Sequence, residues 1–317
     1  MLRKYRVQSA TVGLCILLGV IFITANTIAP SNFPRNAIVK IPSGTTVSEA
    51  GNILKDSGII RSVSLYKIFV RIVHGGAGVQ IGDYLFEKPE SALKVAYRTA
   101  FGEQNIQKKK VTIPEGSSTK EIAKIITRIM PEFDAEAFLL EAREYEGYLF
   151  PETYYFFPNV TPREVIREMR SVFDDKIAEI SDKIDVSVKS REDIIIMASI
   201  LEEEANNAKD RTIISGILWK RIETGMPLQV DAPFYYTLNK GSGELTLADL
   251  KKDSPYNTYT RKGLTPTPIS NPGLNAIESA LYPATSTYWF FLSDRSGAMH
   301  YAATHDGHVE NKWKYLQ

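Results

Sequence analysis

Apolar residues gather first into one unbroken run and then into short periodic stretches. The run from Val12 to Ala29 is almost wholly apolar or small, carries no charge, and follows Arg3, Lys4 and Arg6. At a helical rise of about 1.5 Å per residue it approaches the roughly 30 Å hydrocarbon core of a bilayer, and the basic cluster ahead of it predicts a cytoplasmic N-terminus. The expectation is a cytoplasmic tail over 1–11, a single membrane-spanning helix over 12–29, and a folded part outside the cytoplasm, tethered to the cell (inner) membrane. Cleavage as a signal peptide is disfavoured, because Pro30 follows the small residues Thr27 and Ala29.

Residues 30–37, rich in Pro, Ser and Asn, read as a spacer. Beyond it an internal repeat emerges: Val39-Lys-Ile-Pro-Ser-Gly44 returns as Val111-Thr-Ile-Pro-Glu-Gly116. In each copy an alternating strand ends at Pro-x-Gly, which forces a turn. Thr46-x-x-Glu49 or Ser118-x-x-Glu121 then supplies a capping box for a helix. Between the copies Ser64 to His74 reads as a helix and Gln80 to Phe86 as a strand, and Asp134 to Tyr145 reads as a helix after the second. Convergent capping on two ordinary strand–helix units is one explanation. The other is a pair of sugar-polymer-binding modules, whose pattern is similar to the LysM fold. The chemistry changes at Glu146, which sets the expected boundary between a LysM-like region over 38–145 and a mixed α/β domain over 146–317, α+β in class.

The most informative stretch begins at Ser190, which caps a helix with Asp193 three residues on. Ile194-Ile-Ile-Met-Ala-Ser-Ile-Leu201 is apolar almost all round, so the helix is expected to be buried. Glu202, Glu203 and Glu204 follow, pointing about 100° apart, so that at most two share a site. A helix C-terminus, neighbouring like charges and partial burial all raise a carboxyl pKa, which is what a general acid needs. Glu202, directly after the apolar stretch, is expected to be the buried and perturbed member and Glu203 to face water. The plainer reading is a polar helix end running into Asn206 and Asn207.

The downstream segments favour the chemical reading. Asp210 to Thr224 reads as an amphipathic helix with Ile213, Ile214, Ile217, Leu218 and Ile222 inward. Met226-Pro-Leu-Gln-Val-Asp231 reads as an extended piece with Gln229 and Asp231 on one side. Ser254-Pro-Tyr-Asn-Thr-Tyr-Thr260 concentrates amide, hydroxyl and phenol groups of the kind that hold sugar hydroxyls and stack on sugar faces. A proline-braced loop over 263–273, a short helix over Asn275 to Leu281 and a buried strand over Tyr288 to Leu292 complete the pattern.

Composition narrows the function classes. With 38 Lys plus Arg against 37 Asp plus Glu among 317 residues, the net charge of +1 provides no basic field for nucleic acid. Cys15, the only cysteine, lies in the apolar run, which excludes a disulfide or a cysteine zinc site from the folded part. His300, His305 and His308 fit no common zinc spacing, so no metal or cofactor is expected.

In order along the chain, Glu146-Gly-Tyr-Leu-Phe-Pro-Glu-Thr-Tyr, Ala198-Ser-Ile-Leu-Glu-Glu-Glu, Leu228-Gln-Val-Asp, Tyr256-Asn-Thr-Tyr, the Pro-Ile-Ser-Asn-Pro-Gly273 loop and Tyr282-Pro-Ala284 resemble the YceG-like family, the endolytic murein transglycosylases. The resemblance implies a lyase that cuts peptidoglycan glycan strands between N-acetylmuramic acid and N-acetylglucosamine, leaves a 1,6-anhydro end, and acts near the membrane in partnership with peptidoglycan synthases. It also implies that Glu202 matches the glutamate opening a Glu-Lys-Glu-Thr motif and is the catalytic acid and base. Here the motif reads Glu202-Glu-Glu-Ala205, a more negative version. Glu204, Gln229, Asp231, Tyr256 and Asn257 are the expected substrate-binding groups. Two rivals remain open: a hydrolase with Glu204 or Asp231 as second carboxylate, and a silent glycan-binding scaffold.

Overall fold

The computed structural model describes residues 24–316. Its elements in chain order are β1 (Ala37–Ile41), α1 (Val47–Asp56), α2 (Val63–His74), β2 (Gly82–Phe86), α3 (Ala92–Phe101), β3 (Lys109–Thr112), α4 (Thr119–Ile129), α5 (Ala135–Glu141) and β4 (Thr153–Phe156). There follow α6 (Pro162–Ala178), α7 (Ser181–Asp185), α8 (Arg191–Glu204), α9 (Ala208–Glu223), α10 (Ala232–Leu238), α11 (Leu247–Lys251), α12 (Leu274–Leu281), β5 (Phe290–Ser293), β6 (Met299–Ala302) and α13 (His305–Tyr315). The class is α+β, as expected.

The membrane-spanning helix expected over 12–29 is not found among the described residues. Among the described residues no helix is long and apolar enough to cross a membrane. Most of the apolar run lies outside the described residues; of its remainder, residues 24–27 are helical and the chain leaves the helix before Pro30.

The repeat is real as local geometry. Thr46 and Ser118 each accept the backbone N–H three residues on, while Glu49 and Glu121 reach back to the cap N–H, so both boxes close. Gly44 and Gly116 carry φ of 78° and 80°, a left-handed turn that a side chain would strain. The copies then part company, because the chain divides into two compact units, Met1–Lys108 and Lys109–Gln317. In the first, β1 pairs antiparallel with β2 from Ala37↔Phe86 to Ile41↔Gly82. In the second, β3 pairs antiparallel with β4 from Lys109↔Phe156 to Thr112↔Thr153. That ladder joins the second copy to the chain beyond Glu146, so the division lies at residue 108 rather than at the expected 146.

The first unit packs α1, α2 and α3 over its ladder around Leu54, Tyr66, Val70, Tyr84 and Val95. Helix α3, which hydrophobic periodicity did not single out, is started by Ser91 and stopped by Gly102 in the left-handed region. It buries Arg98 completely, and the guanidinium is satisfied by Glu90 and by the Leu85, Glu103 and Gln104 carbonyls. In the second unit α8 runs through the core, with every residue from Ile194 to Glu202 buried and with α9 and α12 against it. The strand expected over Tyr288 to Leu292 begins only at Phe290 and is half-buried, paired antiparallel with β6.

Replacing a capping-box threonine leaves an orphan N–H at a helix start. Thr46→Ala is expected to cost about 1 kcal/mol of stability, read from the urea midpoint with an unchanged denaturant slope.

Candidate active site

Ser190 starts α8 by accepting the Asp193 N–H at 3.0 Å. The apolar turns that follow drive the helix through the core and deliver Glu202, Glu203 and Glu204 at its C-terminal end, where no basic residue occupies the last turn. As the helical rise requires, the three carboxylates take separate bearings.

Glu202 turns inward and is 9% exposed. One of its oxygens pairs with the Arg211 guanidinium on α9, and the other accepts the Gly273 N–H at 2.9 Å. Burial pushes its pKa up, while the Gly273 N–H and Arg211 pull it back. Arg211 is itself fixed by the Ala205 carbonyl at 2.9 Å and by Asn275 at 3.0 Å. The expectation of a buried Glu202 holds. Yet with both oxygens engaged, one of them by a guanidinium, the group is a strut between α8, α9 and the 269–273 loop.

Glu203 is exposed, as expected. It borders a cleft of about 230 Å³ together with Lys120, Glu121, Tyr235 and Tyr236. Desolvation within the cleft, with Glu121 and Glu202 nearby, raises its carboxyl to about 7. Glu204 lies near Asp231 at the start of α10. It keeps partial solvent exposure although protein surrounds it closely. Its carboxyl is pushed up to about 8, first by desolvation, then by the charges of Asp231 and Glu203, against weaker opposition from the Ala232 N–H and Arg221. Asp231 accepts the Tyr259 phenol at 2.6 Å, and its charge acts on Glu204 through space.

The polar islands divide into braces and open groups. Asn257 is 1% exposed; its amide N–H groups donate to the Leu250 and Lys252 carbonyls, and its oxygen accepts from Tyr259 and Thr260. It has nothing left for a sugar. Gln229 is exposed and sits at φ 53°, an unusual conformation for a residue with a side chain. Its segment is therefore not the regular strand expected: only Pro227 forms a β-bridge, to Lys262. Thr258 laces the segment to the 254–260 island through Gln229 N–H at 2.9 Å and Val230. Tyr256 shares a hydrogen bond with Thr267 at 2.8 Å, and its ring lies 5.7 Å from that of Tyr236. Among the described residues no group of three His, Cys, Asp or Glu side chains could hold a metal; His300 bonds Asp294 at 2.8 Å.

Arg211 carries no signal in the sequence, while Glu121 is legible there only as a capping residue and Tyr259 only as one of a polar island. Each matters at the site through a partner distant in sequence.

The sequence profile of the YceG-like family matches residues 39–314. An endolytic murein transglycosylase of Bacillus subtilis is 29% identical over 305 residues, which cover 88% of this chain and 84% of that relative. An enzyme of the same description from Streptococcus pneumoniae is 27% identical; 89% of this chain is covered, but only 58% of that longer relative. The crystal structure of a yceG-like protein of Listeria monocytogenes superposes with a TM-score of 0.58 at 28% identity, over 87% of this chain and 99% of that one.

Two outcomes test this electrostatic layout. Asp231→Asn removes the like charge beside Glu204, and its carboxyl pKa is expected to fall from about 8, as read by carboxyl-carbon NMR titration. Arg211→Met strands a buried carboxylate and is expected to cost about 3–5 kcal/mol at neutral pH in urea unfolding, with a smaller cost in acid, where Glu202 takes up a proton.

Proposed function

The chain belongs to the YceG-like family, and from that premise we propose that it is a peptidoglycan lytic transglycosylase, a lyase that cuts glycan strands internally. Relatives described as endolytic murein transglycosylases support the reaction class. The observation that carries the chemistry is the Glu204 carboxyl, held at about 8 beside Asp231 at the end of α8.

Glu204 is the proton donor in this reading, in preference to Glu202. A general acid must reach neutral pH protonated and still meet its substrate. Glu204 has the raised pKa and partial exposure, whereas Glu202 has both oxygens occupied within the protein. The neutral Glu204 gives its proton to the bridging oxygen between N-acetylmuramic acid and N-acetylglucosamine, and the bond from that oxygen to the muramic C1 breaks. The resulting carboxylate then takes the proton of the muramic C6 hydroxyl as that oxygen bonds to C1. Glu204 ends protonated, no water is consumed, and the product is a 1,6-anhydro end. Asp231 keeps the acid protonated before transfer, and Tyr259 fixes Asp231. Gln229 and Tyr256 are the remaining sugar-positioning groups, with Asn257 acting through the loop it braces.

The strand–turn–helix copies belong in this reading as sugar-polymer-binding modules similar to LysM. Action outside the cytoplasm follows from where peptidoglycan lies. Peptidoglycan synthases are the expected protein partners, and pull-down with the full chain tests that expectation.

The hydrolase alternative gains support from the closeness of Glu204 and Asp231, two carboxylates that could act as acid and base on water. Mass spectrometry of digested glycan strands separates the readings: an anhydro product is lighter than a hydrolytic one by one water. Glu204→Gln is expected to lower turnover by about 10²- to 10⁴-fold with the fold intact, while Glu202→Gln keeps measurable turnover. The reverse outcome would return the acid role to Glu202. The alkaline limb of the pH profile carries a sign as well: activity should fall as pH rises through about 8, where Glu204 loses its proton.

A further inference from the structure

Glu146 opens the aromatic stretch over 146–156 and stands 8% exposed, a buried carboxylate with no role in the chemistry above. Its Oε1 accepts the Thr119 N–H at 3.0 Å and the Asn271 side-chain N–H at 3.1 Å, and its Oε2 lies 3.3 Å from the same Thr119 nitrogen. The Tyr236 phenol lies near it and eases its ionisation. Among the described residues no cation pairs with it; the compensating groups are the N-terminus of α4, the Asn271 amide and the nearby Tyr236 phenol.

These partners connect to different sides of the cleft, Thr119 and Tyr236 through helices that line it and Asn271 from the buried loop behind Ile269. Thr119 is the first residue of α4, which presents Lys120, Glu121 and Lys124 to the opening. Tyr236 lies on α10 and lines the same opening. Asn271 is fully buried: its side chain also donates to the Ser117 carbonyl at 2.9 Å and accepts the Leu149 N–H at 2.8 Å. Its backbone carbonyl accepts the Gly116 N–H at 3.0 Å. Two residues further on, Gly273 supplies the N–H that holds Glu202.

We propose that Glu146 is a positioning residue for glycan binding, a buried carboxylate that clamps α4, Tyr236 and the 269–273 loop into one cleft without touching the reacting atoms. The proposal rests on the activity read above only for its readout in turnover. Its mechanism is mechanical. A carboxylate with several donors converging on it fixes their relative positions more tightly than pairwise contacts between those walls, and a sugar chain lying across the cleft needs all of them in register.

The test uses the purified full chain and glycan strands freed of peptide. Glu146→Gln keeps an oxygen that accepts from Thr119 and Asn271, and so is expected to remain within about threefold of wild type in KM. Glu146→Ala leaves those donors orphaned and is expected to raise KM by roughly tenfold or more, with kcat lowered by less than about threefold. Tyr236→Phe is expected to raise KM on its own and to add little on top of Glu146→Ala, because both changes break the same link. Binding of a glycan fragment to the Glu204→Gln background should weaken in parallel. That arm separates the two readings: wild-type protein that yields no anhydro product overturns the activity, whereas unchanged fragment binding in the Glu146→Ala, Glu204→Gln protein overturns the clamp. The clamp also fails if Glu146→Ala lowers only the melting temperature, if Tyr236→Phe adds its full effect to Glu146→Ala, or if Glu146→Gln is as inactive as Glu204→Gln, which would put the carboxyl in the chemistry. Should the alanine variant fail to fold, the glutamine and Tyr236→Phe variants still decide the matter through KM.

Discussion

Three successive carboxylates at the end of a buried helix cannot share one environment. The helical repeat sends each in its own direction, and the negative end of α8 provides no cation to any of them. Each has to be compensated by a different part of the chain. Glu202 obtains Arg211 and Gly273, Glu203 obtains the rim of an open cleft, and Glu204 obtains a neighbouring carboxylate that makes ionisation harder still. A structural anchor, a cleft wall and a raised acid thereby arise from adjacent residues.

The second strand–turn–helix copy matters because of where its turn lands. Gly116 abuts the Glu203 carboxyl so closely that a Cβ would meet it at 2.7 Å, and the helix that follows supplies Glu121 to the same cleft. The repeated motif has thus been turned into a wall of the candidate site. The charge pattern there is also distinctive. Where the family motif carries lysine, Glu203 faces Glu121, and the result is a carboxyl raised to about 7 rather than a cation. The cleft is more acidic as a consequence, offset in part by Lys120 and Lys124 at its rim.

Buried polar groups hold this arrangement in place. Arg211, Asn271, Asn257 and Glu146 each make several hydrogen bonds while almost wholly removed from water. Leaving any one of their partners unsatisfied is costly, which is why such groups fix loops that hydrophobic contact alone would leave free to shift. The 269–273 loop is the clearest case, since Ile269 and Ser270 are tied to Ser199 within α8, and Gly273 to Glu202.

Local periodicity and capping chemistry were enough to read α8 and α9, both capping boxes and the turns at Gly44 and Gly116, because those features depend on residues within a few positions of one another. The carboxylate triplet was legible for the same reason, as was its splay around the helix axis. Which carboxylate stays free was not legible, because that depends on Arg211 arriving from the next helix and on Gly273 returning from 71 residues away. The same holds for Asn257, whose polar side chain looked available until the loop carbonyls around it were in view, and for the second copy, whose allegiance was decided by the pairing of β3 with β4. Backbone preference is a property of neighbouring residues and so is written along the chain; the protonation and accessibility of a side chain are set by whatever the folded chain packs against it, and only tertiary structure decides that.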